Sequence, residues 1–222
     1  MAKTILFMFP GACSRVAMAA LEEIGVDYED RVVNLRASAQ RGAEYLVINP
    51  KGKVPTLSID GKTLTENAAI LAFLDRCYPK AALLPHCDGP IERMRCLSDL
   101  IWCSSTLHPV VRQIRAPHKL TEGDTAGVRA DGLKKFAKEC AYISDKVSGN
   151  EWWYGRRWSI VDVYTCWAYT TAAKDREFAL HDYPHLLTHA ERVRALPSFQ
   201  LALARELRAM EREHLPIDPA SL

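Results

Sequence analysis

Features that mark several classes of protein are missing from this sequence of 222 residues. No apolar run approaches the ~20 residues that cross a bilayer, so we exclude an integral membrane protein. The apolar segment Thr4–Phe9 is also too short for a lipoprotein signal, and Pro10 interrupts it, so we expect a buried strand there. The net charge is only +2 and the basic residues form no stripe, so we expect no nucleic-acid partner.

The spacing of zinc ribbons and dithiol redox proteins, C-x-x-C, does not occur among the seven cysteines. Their odd number and irregular spacing indicate reduced thiols and a cytoplasmic protein. His181, His185 and His189 recur every four residues, but Pro184 separates the first from the others and no acid or cysteine completes a set. We therefore predict no metal site and surface positions for these histidines.

The composition, with 48% hydrophobic and 25% charged residues, is that of an ordinary globular protein. Strand and helix signals alternate over residues 1–78, whereas only helical periodicity follows from about residue 89. We therefore predict an α/β domain over residues 1–80, a linker over 81–88 and an all-helical domain over 89–222.

The predicted element order of the first domain is β-α-β-α-β-β-α, with Asp60-Gly61 as a strong hairpin signal. Its strands are expected at Thr4–Met8, Asp27–Leu35, Val54–Ile59 and Lys62–Thr65, and its helices at Ser14–Ile24, Ala37–Tyr45 and Asn67–Tyr78. The later helices are expected at Ile91–Val111, Asp124–Val147, Ser159–Ala173, Pro184–Ala195 and Ser198–Glu213. Ser159 and Asp162 have the spacing of a capping box.

Cys13 lies between the first strand and the first helix. Unpaired amides at the positive end of a helix stabilise an anion, so we expect this thiol to ionise more readily than a free one. The hydroxyl of Ser14 adds a second donor that we expect to face the same spot. Cys13 is thus a candidate nucleophile or contact for another thiolate, and the alternative is that it merely fills the junction.

Two further segments carry binding chemistry. A cis bond at Val54-Pro55 would turn the N–H and C=O of Val54 toward an open edge, where an extended peptide can pair. Glu66 and Asn67 begin a helix whose free amides can hold a carboxylate, while Glu66 suits an ammonium. The alternatives are a trans proline in an ordinary loop and a plain helix cap.

Over nearly its full length the sequence resembles the glutathione transferases, and most of all their bacterial beta class. The segments that carry the resemblance are Pro10–Ser14, Asn49–Leu57, Thr65–Ile70, Leu107-His108 and the Ser159-x-x-Asp162 helix start after Gly155. The resemblance implies a thioredoxin-like N-terminal domain followed by an all-α helical bundle, a homodimer, and glutathione as co-substrate. The implied activity is conjugation of glutathione to small electrophiles, as in detoxification.

Residue roles follow from the same resemblance. It implies that Cys13 contacts the glutathione sulfur, that Ser14 assists, and that His108 faces the same sulfur. Val54 would pair with the cysteinyl backbone beside a cis proline, and an acid and an amide would hold the γ-glutamyl group. The implied glutathione-binding residues are Lys53, Val54, Pro55, Glu66 and Asn67.

The sequence departs from the beta-class pattern at three positions. Met8 stands where these enzymes usually carry tyrosine, Pro109 where lysine is common, and Ile101 where an asparagine is expected. Activity toward the usual electrophiles is therefore expected to be weak. A glutathione-dependent thiol reductase or lyase that uses Cys13 and a non-catalytic binding protein of the same fold stay open as alternatives.

The zeta-class isomerases are a second comparison, since Gly25–Leu35 and Asn49–Gly61 resemble their sequences too. Their motif has two serines immediately before the cysteine, where this chain has Gly11 and Ala12. We therefore rank isomerisation below conjugation.

Overall fold

The computed structural model describes residues 3–216, and contacts divide the chain into two compact units. The first unit runs to Leu83 and takes up the chain again from Leu196, while the second holds Leu84–Ala195. The last helix is therefore grouped with the first unit, although it follows the second in sequence. The domain boundaries drawn at residues 80 and 89 remain a prediction.

The first unit contains a four-stranded sheet in the order β2-β1-β3-β4. Its strands are β1 (Thr4–Met8), β2 (Glu29–Val32), β3 (Thr56–Ile59) and β4 (Lys62–Thr65). Strand β2 is parallel to β1, whereas the β1–β3 and β3–β4 pairs are antiparallel. Asp60 and Gly61 connect β3 to β4 with φ angles of 48° and 80°, which is the two-residue turn that suits the twist of a hairpin.

The first three helices of this unit follow the predicted order, and the fourth lies in the segment predicted to belong to the helical domain. They are α1 (Ser14–Ile24), α2 (Ala43–Ile48), α3 (Asn67–Cys77) and α9 (Pro197–Arg212). Helix α1 ends at Gly25, whose φ of 75° is the left-handed conformation that terminates helices. It buries Val16, Ala20 and Leu21 completely, and both α3 and α9 pack against it.

The helix predicted at Ala37–Tyr45 is placed too early. A short 3-10 helix covers Ala39–Arg41, and α2 begins only after Gly42, whose backbone is extended. Tyr45 of α2 is buried in a cluster with Ile5, Phe7 and Val33. This packing, rather than the polar residues before it, decides where the helix lies.

The second unit consists of helices. They are α4 (Pro90–Trp102), α5 (His108–Arg115), α6 (Thr125–Ser148), α7 (Ile160–Ala172) and α8 (Pro184–Ala195). Helix α5 packs on α6 and α7, and α8 packs on the same two helices. Within residues 3–216, no helix has the length and apolar character that crossing a membrane requires.

The single helix predicted at Ile91–Val111 is interrupted. A π-helical segment over Cys103–Leu107 lies between α4 and α5. Pro109 is the second residue of α5, and a proline lacks the N–H that an α-helix needs and crowds the carbonyl four residues earlier. Widening the preceding turn to π geometry accommodates the ring without ending the helix.

Candidate active site

The loop from β1 to α1 is held by Ser14. Its hydroxyl is fully buried, donates to the carbonyl of Phe9 at 3.1 Å and accepts from the N–H of Phe9 at 3.2 Å. The amide of Ala12 donates to the same carbonyl at 3.1 Å. The structure thus gives Ser14 a role in closing this turn rather than placing a second donor beside Cys13, and its catalytic assistance stays a prediction.

Helix α9 anchors the same loop through Glu206. The buried carboxylate accepts from Arg15 Nε at 3.0 Å and from the backbone N–H of Gly11 at 3.2 Å. Sequence reasoning missed this pair. The sequence does contain an indication of a buried acid. Glu206 lies on the apolar face of α9, four residues after buried Ala202 and three before buried Ala209.

Cys13 is the residue immediately before α1 and is 4% exposed. Burial raises the pKa of its thiol to about 12; a backbone hydrogen bond opposes this shift only in part, and the charge of Glu66 adds to it while that of Lys53 reduces it. The expectation that the helix terminus makes this thiol ionise readily is therefore wrong, because desolvation outweighs the favourable amides. At neutral pH Cys13 is a protonated thiol, which can donate a hydrogen bond.

The Val54-Pro55 peptide bond is cis, as the resemblance implies. The thiol of Cys13 lies 3.7 Å from the carbonyl oxygen of Val54. Within residues 3–216 the N–H of Val54 has no hydrogen-bond partner, and its carbonyl meets only this thiol. A backbone N–H with no partner among the described residues therefore lies just before β3, on the residue whose carbonyl meets the thiol of Cys13.

Three buried side chains, to which sequence reasoning assigned no role, fix this loop. The hydroxyl of Tyr45 donates to the carbonyl of Lys53 at 2.7 Å, and the amide of Asn49 donates to it at 2.7 Å. Asn49 also donates to the hydroxyl of Thr56 at 2.9 Å. These contacts hold the backbone on both sides of Val54, while the side chain of Lys53 is exposed.

Glu66 and Asn67 stand at the start of α3. The carboxylate of Glu66 is half exposed and lies 3.0 Å from Lys51 Nζ. Asn67 is buried, and its side-chain amide donates to the carbonyl of Cys13 at 3.0 Å. Its Oδ1 has no partner among the described residues. The starts of α1 and α3 are thus tied together, so that Cys13 touches both Val54 and Asn67.

His108 belongs to the second unit. It is the first residue of α5, directly after the π-helical segment, and its ring meets that of Trp167 edge-on with centroids 4.8 Å apart. Its role toward a sulfur atom stays a prediction. Of the predicted residues in the first unit, the structure places Val54 and Asn67 in contact with Cys13.

The histidine pattern near α8 has another explanation. His189 is fully buried, with Nε2 2.9 Å from Asp162 Oδ1 and Nδ1 2.7 Å from the hydroxyl of Tyr169. The expectation of a surface position is therefore wrong for His189, while His181 and His185 are exposed. No group of three or more metal-ligating side chains is assembled within residues 3–216.

Comparison with known proteins adds to this geometry. The family model for the glutathione S-transferase N-terminal domain matches residues 2–76. Glutathione S-transferase GstA of Escherichia coli O157:H7 is 30% identical over 207 residues, which cover 90% of this chain and 98% of that protein. Maleylacetoacetate isomerase of Pseudomonas aeruginosa is 29% identical over 193 residues, covering 85% and 88%.

Two solved structures match this chain to the same extent as each other. A sphingomonad glutathione S-transferase complexed with glutathione and the beta-class enzyme of Sphingomonas chungbukensis are each 31% identical with a TM-score of 0.80. Each match covers 91% of this chain and 98% of the other. The chain belongs to the glutathione S-transferase family. The predictions of a beta-like transferase and of a thioredoxin-like domain with a helical domain are confirmed.

Proposed function

We propose that the chain binds glutathione at the amino end of α1 and conjugates it to small electrophiles. The observation that carries this proposal is the backbone edge just before β3, where the N–H of Val54 has no partner within residues 3–216 and its carbonyl lies beside the thiol of Cys13. An extended tripeptide offers the complementary C=O and N–H and pairs with such an edge as an added strand. This pairing brings the sulfur of its cysteinyl residue toward Cys13.

For this reaction the chain must stabilise the thiolate of bound glutathione. Because Cys13 keeps its proton at neutral pH, it serves as a hydrogen-bond donor to the glutathione sulfur rather than as the attacking group. The amides at the start of α1 add their positive field. The glutathione thiolate then forms a carbon–sulfur bond with the electrophile, whose leaving group departs with its electron pair.

The ends of the tripeptide are assigned by charge. Glu66, at the start of α3, is proposed to pair with the γ-glutamyl ammonium. The Oδ1 of Asn67, which has no partner in the described part of the chain, offers a second acceptor for it. Lys53 and Pro55 complete the proposed glutathione contacts. His108 is proposed to face the sulfur. A homodimer, a cytoplasmic location and a part in detoxification complete the proposal, and sedimentation analysis of the purified chain tests the dimer.

Calorimetry with glutathione and turnover with chlorodinitrobenzene test the proposal. The wild type should bind glutathione and conjugate it. Glu66→Gln should weaken binding about 10- to 100-fold, since a hydrogen bond to a charged group is worth about 1.5–3 kcal/mol. Glu44→Gln, an exposed change on α2, is the matched control. Absence of both binding and turnover in the wild type would contradict the proposal.

Isomerisation is the second candidate, favoured by the match to the maleylacetoacetate isomerase. Parallel assays with maleylacetoacetate and chlorodinitrobenzene distinguish the two, because faster isomerisation than conjugation would favour it. A thiol reductase is tested with Cys13→Ser. Loss of disulfide reduction with conjugation retained would assign Cys13 a covalent role, against which its raised pKa weighs.

A further inference from the structure

Two thiols that the proposed glutathione chemistry does not use lie side by side in the second unit. The Sγ atoms of Cys87 and Cys96 are 3.9 Å apart. Cys87 lies in the irregular segment three residues before α4 begins at Pro90, and Cys96 lies within α4. Both are free thiols in the structure. Close approach of two thiols is the geometric requirement for a bond between them.

The two sulfur atoms differ in access. Cys87 is partly exposed, and its thiol contacts the carbonyl of Pro85 at 3.4 Å. Cys96 is only 5% exposed. Burial raises the pKa of Cys96 to about 11, and the neighbouring thiol of Cys87 adds to this shift. A bulky disulfide reagent can therefore reach Cys87 first, while Cys96 is placed to react afterwards with a sulfur already on Cys87.

We propose that Cys87 and Cys96 are a thiol–disulfide exchange site that closes reversibly to an intramolecular disulfide when the chain meets a small-molecule disulfide such as oxidised glutathione. The thiolate of Cys87, having lost its proton to solvent, attacks one sulfur of the reagent. A mixed disulfide forms and one glutathione thiolate leaves. The thiolate of Cys96 then attacks the Cys87 sulfur and displaces the second glutathione thiolate.

Atoms and electrons balance in these two exchange steps without another reactant. Two protein thiols are oxidised and give up two protons, and one oxidised glutathione is reduced to two glutathione molecules. The sulfur atoms must close from 3.9 Å to about 2.05 Å. The segment that carries Cys87 has no helix or strand bonds to break, so rotation of this side chain and a small shift of its backbone can supply the movement.

Alkylation and intact mass measure the outcome. The wild type, incubated with oxidised glutathione at mildly alkaline pH, should lose two hydrogen masses before it is denatured and alkylated. Its alkylatable thiols should fall from seven to five, since two become bonded to each other. A peptide digest should join Cys87 to Cys96, and dithiothreitol should restore all seven.

Variants separate the steps. Cys96→Ser should stop at the mixed disulfide and retain one glutathionyl group on Cys87, whereas Cys87→Ser should form no intramolecular bond. Cys77→Ser, which removes an exposed thiol on α3, should close like the wild type. Cys96→Ala repeats the trapping experiment if Cys96→Ser does not fold, as judged by circular dichroism.

The proposal is overturned if Cys87 and Cys96 both stay alkylatable after this incubation. It is equally overturned if the digest joins Cys87 to a different cysteine. Cystine in place of oxidised glutathione should give the same crosslink. The chemistry therefore does not depend on a glutathione site at α1, and its failure is distinguishable from failure of the proposed function.

Discussion

The side-chain amide of Asn67 donates to the backbone carbonyl of Cys13 at 3.0 Å. These residues stand at the starts of α3 and α1 and are separated by 54 positions in the sequence. One hydrogen bond thus fixes the distance between the residue proposed to meet the glutathione sulfur and the helix proposed to hold its γ-glutamyl group.

Asn67→Ala should lower both stability and glutathione affinity. It removes the donor to the buried Cys13 carbonyl and the proposed acceptor for the ligand, and an unsatisfied buried group costs about 1–3 kcal/mol. Urea unfolding and calorimetry measure the two effects. Asn150→Ala, which removes an exposed amide bonded to Lys146, should change neither by more than about 0.5 kcal/mol. Equal stability and equal glutathione affinity of the two variants would contradict the role given to Asn67.

Glu206→Gln should destabilise the first unit by about 3 kcal/mol. The substitution takes the charge from a fully buried carboxylate that pairs with buried Arg15, and breaking one side of such a pair is costly. The bond to Gly11 also weakens, so turnover should fall. Glu211→Gln is the control, because it changes an exposed acid on the same helix. A stability equal to that of the control would show that the pair contributes nothing net.

The stability contributed by Cys13 should fall at alkaline pH. Burial raises the pKa of its thiol from 9.0 to about 12. Between these values the unfolded chain releases this proton and the folded chain keeps it, so unfolding becomes easier as the pH rises. Below about pH 9 the contribution is complete. Urea unfolding of the wild type and of Cys13→Ala at neutral and alkaline pH isolates the contribution of this thiol. The free energy of unfolding of the variant should fall less with rising pH than that of the wild type.

A second measurement checks the same shift. Iodoacetamide should modify folded Cys13 far more slowly than exposed Cys77, and the difference should disappear in denaturant. Rapid alkylation of Cys13 at neutral pH would mean that its thiol is ionised in the folded chain.

Asp162→Asn should strongly destabilise the second unit. The buried carboxylate accepts from the backbone N–H groups of Trp153 and Ser159 at 2.7 Å each. It also accepts from the Ser159 hydroxyl and lies beside His189 Nε2, both at 2.9 Å. An amide presents a donor where these groups need an acceptor, so we expect a loss of about 3–5 kcal/mol in urea unfolding. Asp131→Asn, which alters an exposed ion pair to Lys135, is the control.

Local signals in the sequence predicted most of the elements. The strand Thr4–Met8, the turn at Asp60-Gly61 and the stop at Gly25 depend on neighbours within a few residues, and the structure has all three. Ser159 and Asp162 also form the predicted capping box. Such patterns can be predicted from sequence because they depend on interactions between residues that are close together in the chain.

What sequence reasoning could not supply depends on burial and on distant partners. The helix terminus at Cys13 is visible in the sequence, but the desolvation that outweighs it is a property of the packed fold. Glu206 lies 191 positions from Arg15, so no local pattern joins them. His189 looks like a surface histidine until Asp162 and Tyr169 are found around it.

The return of α9 to the first unit has a consequence for biosynthesis. Residues 84–195 leave the ribosome as a continuous segment, whereas the unit that carries Cys13 must wait for a helix that ends at Arg212. Until that helix emerges, the nascent chain lacks the carboxylate that Arg15 and Gly11 share. The unit that carries Cys13 is therefore begun first and finished last.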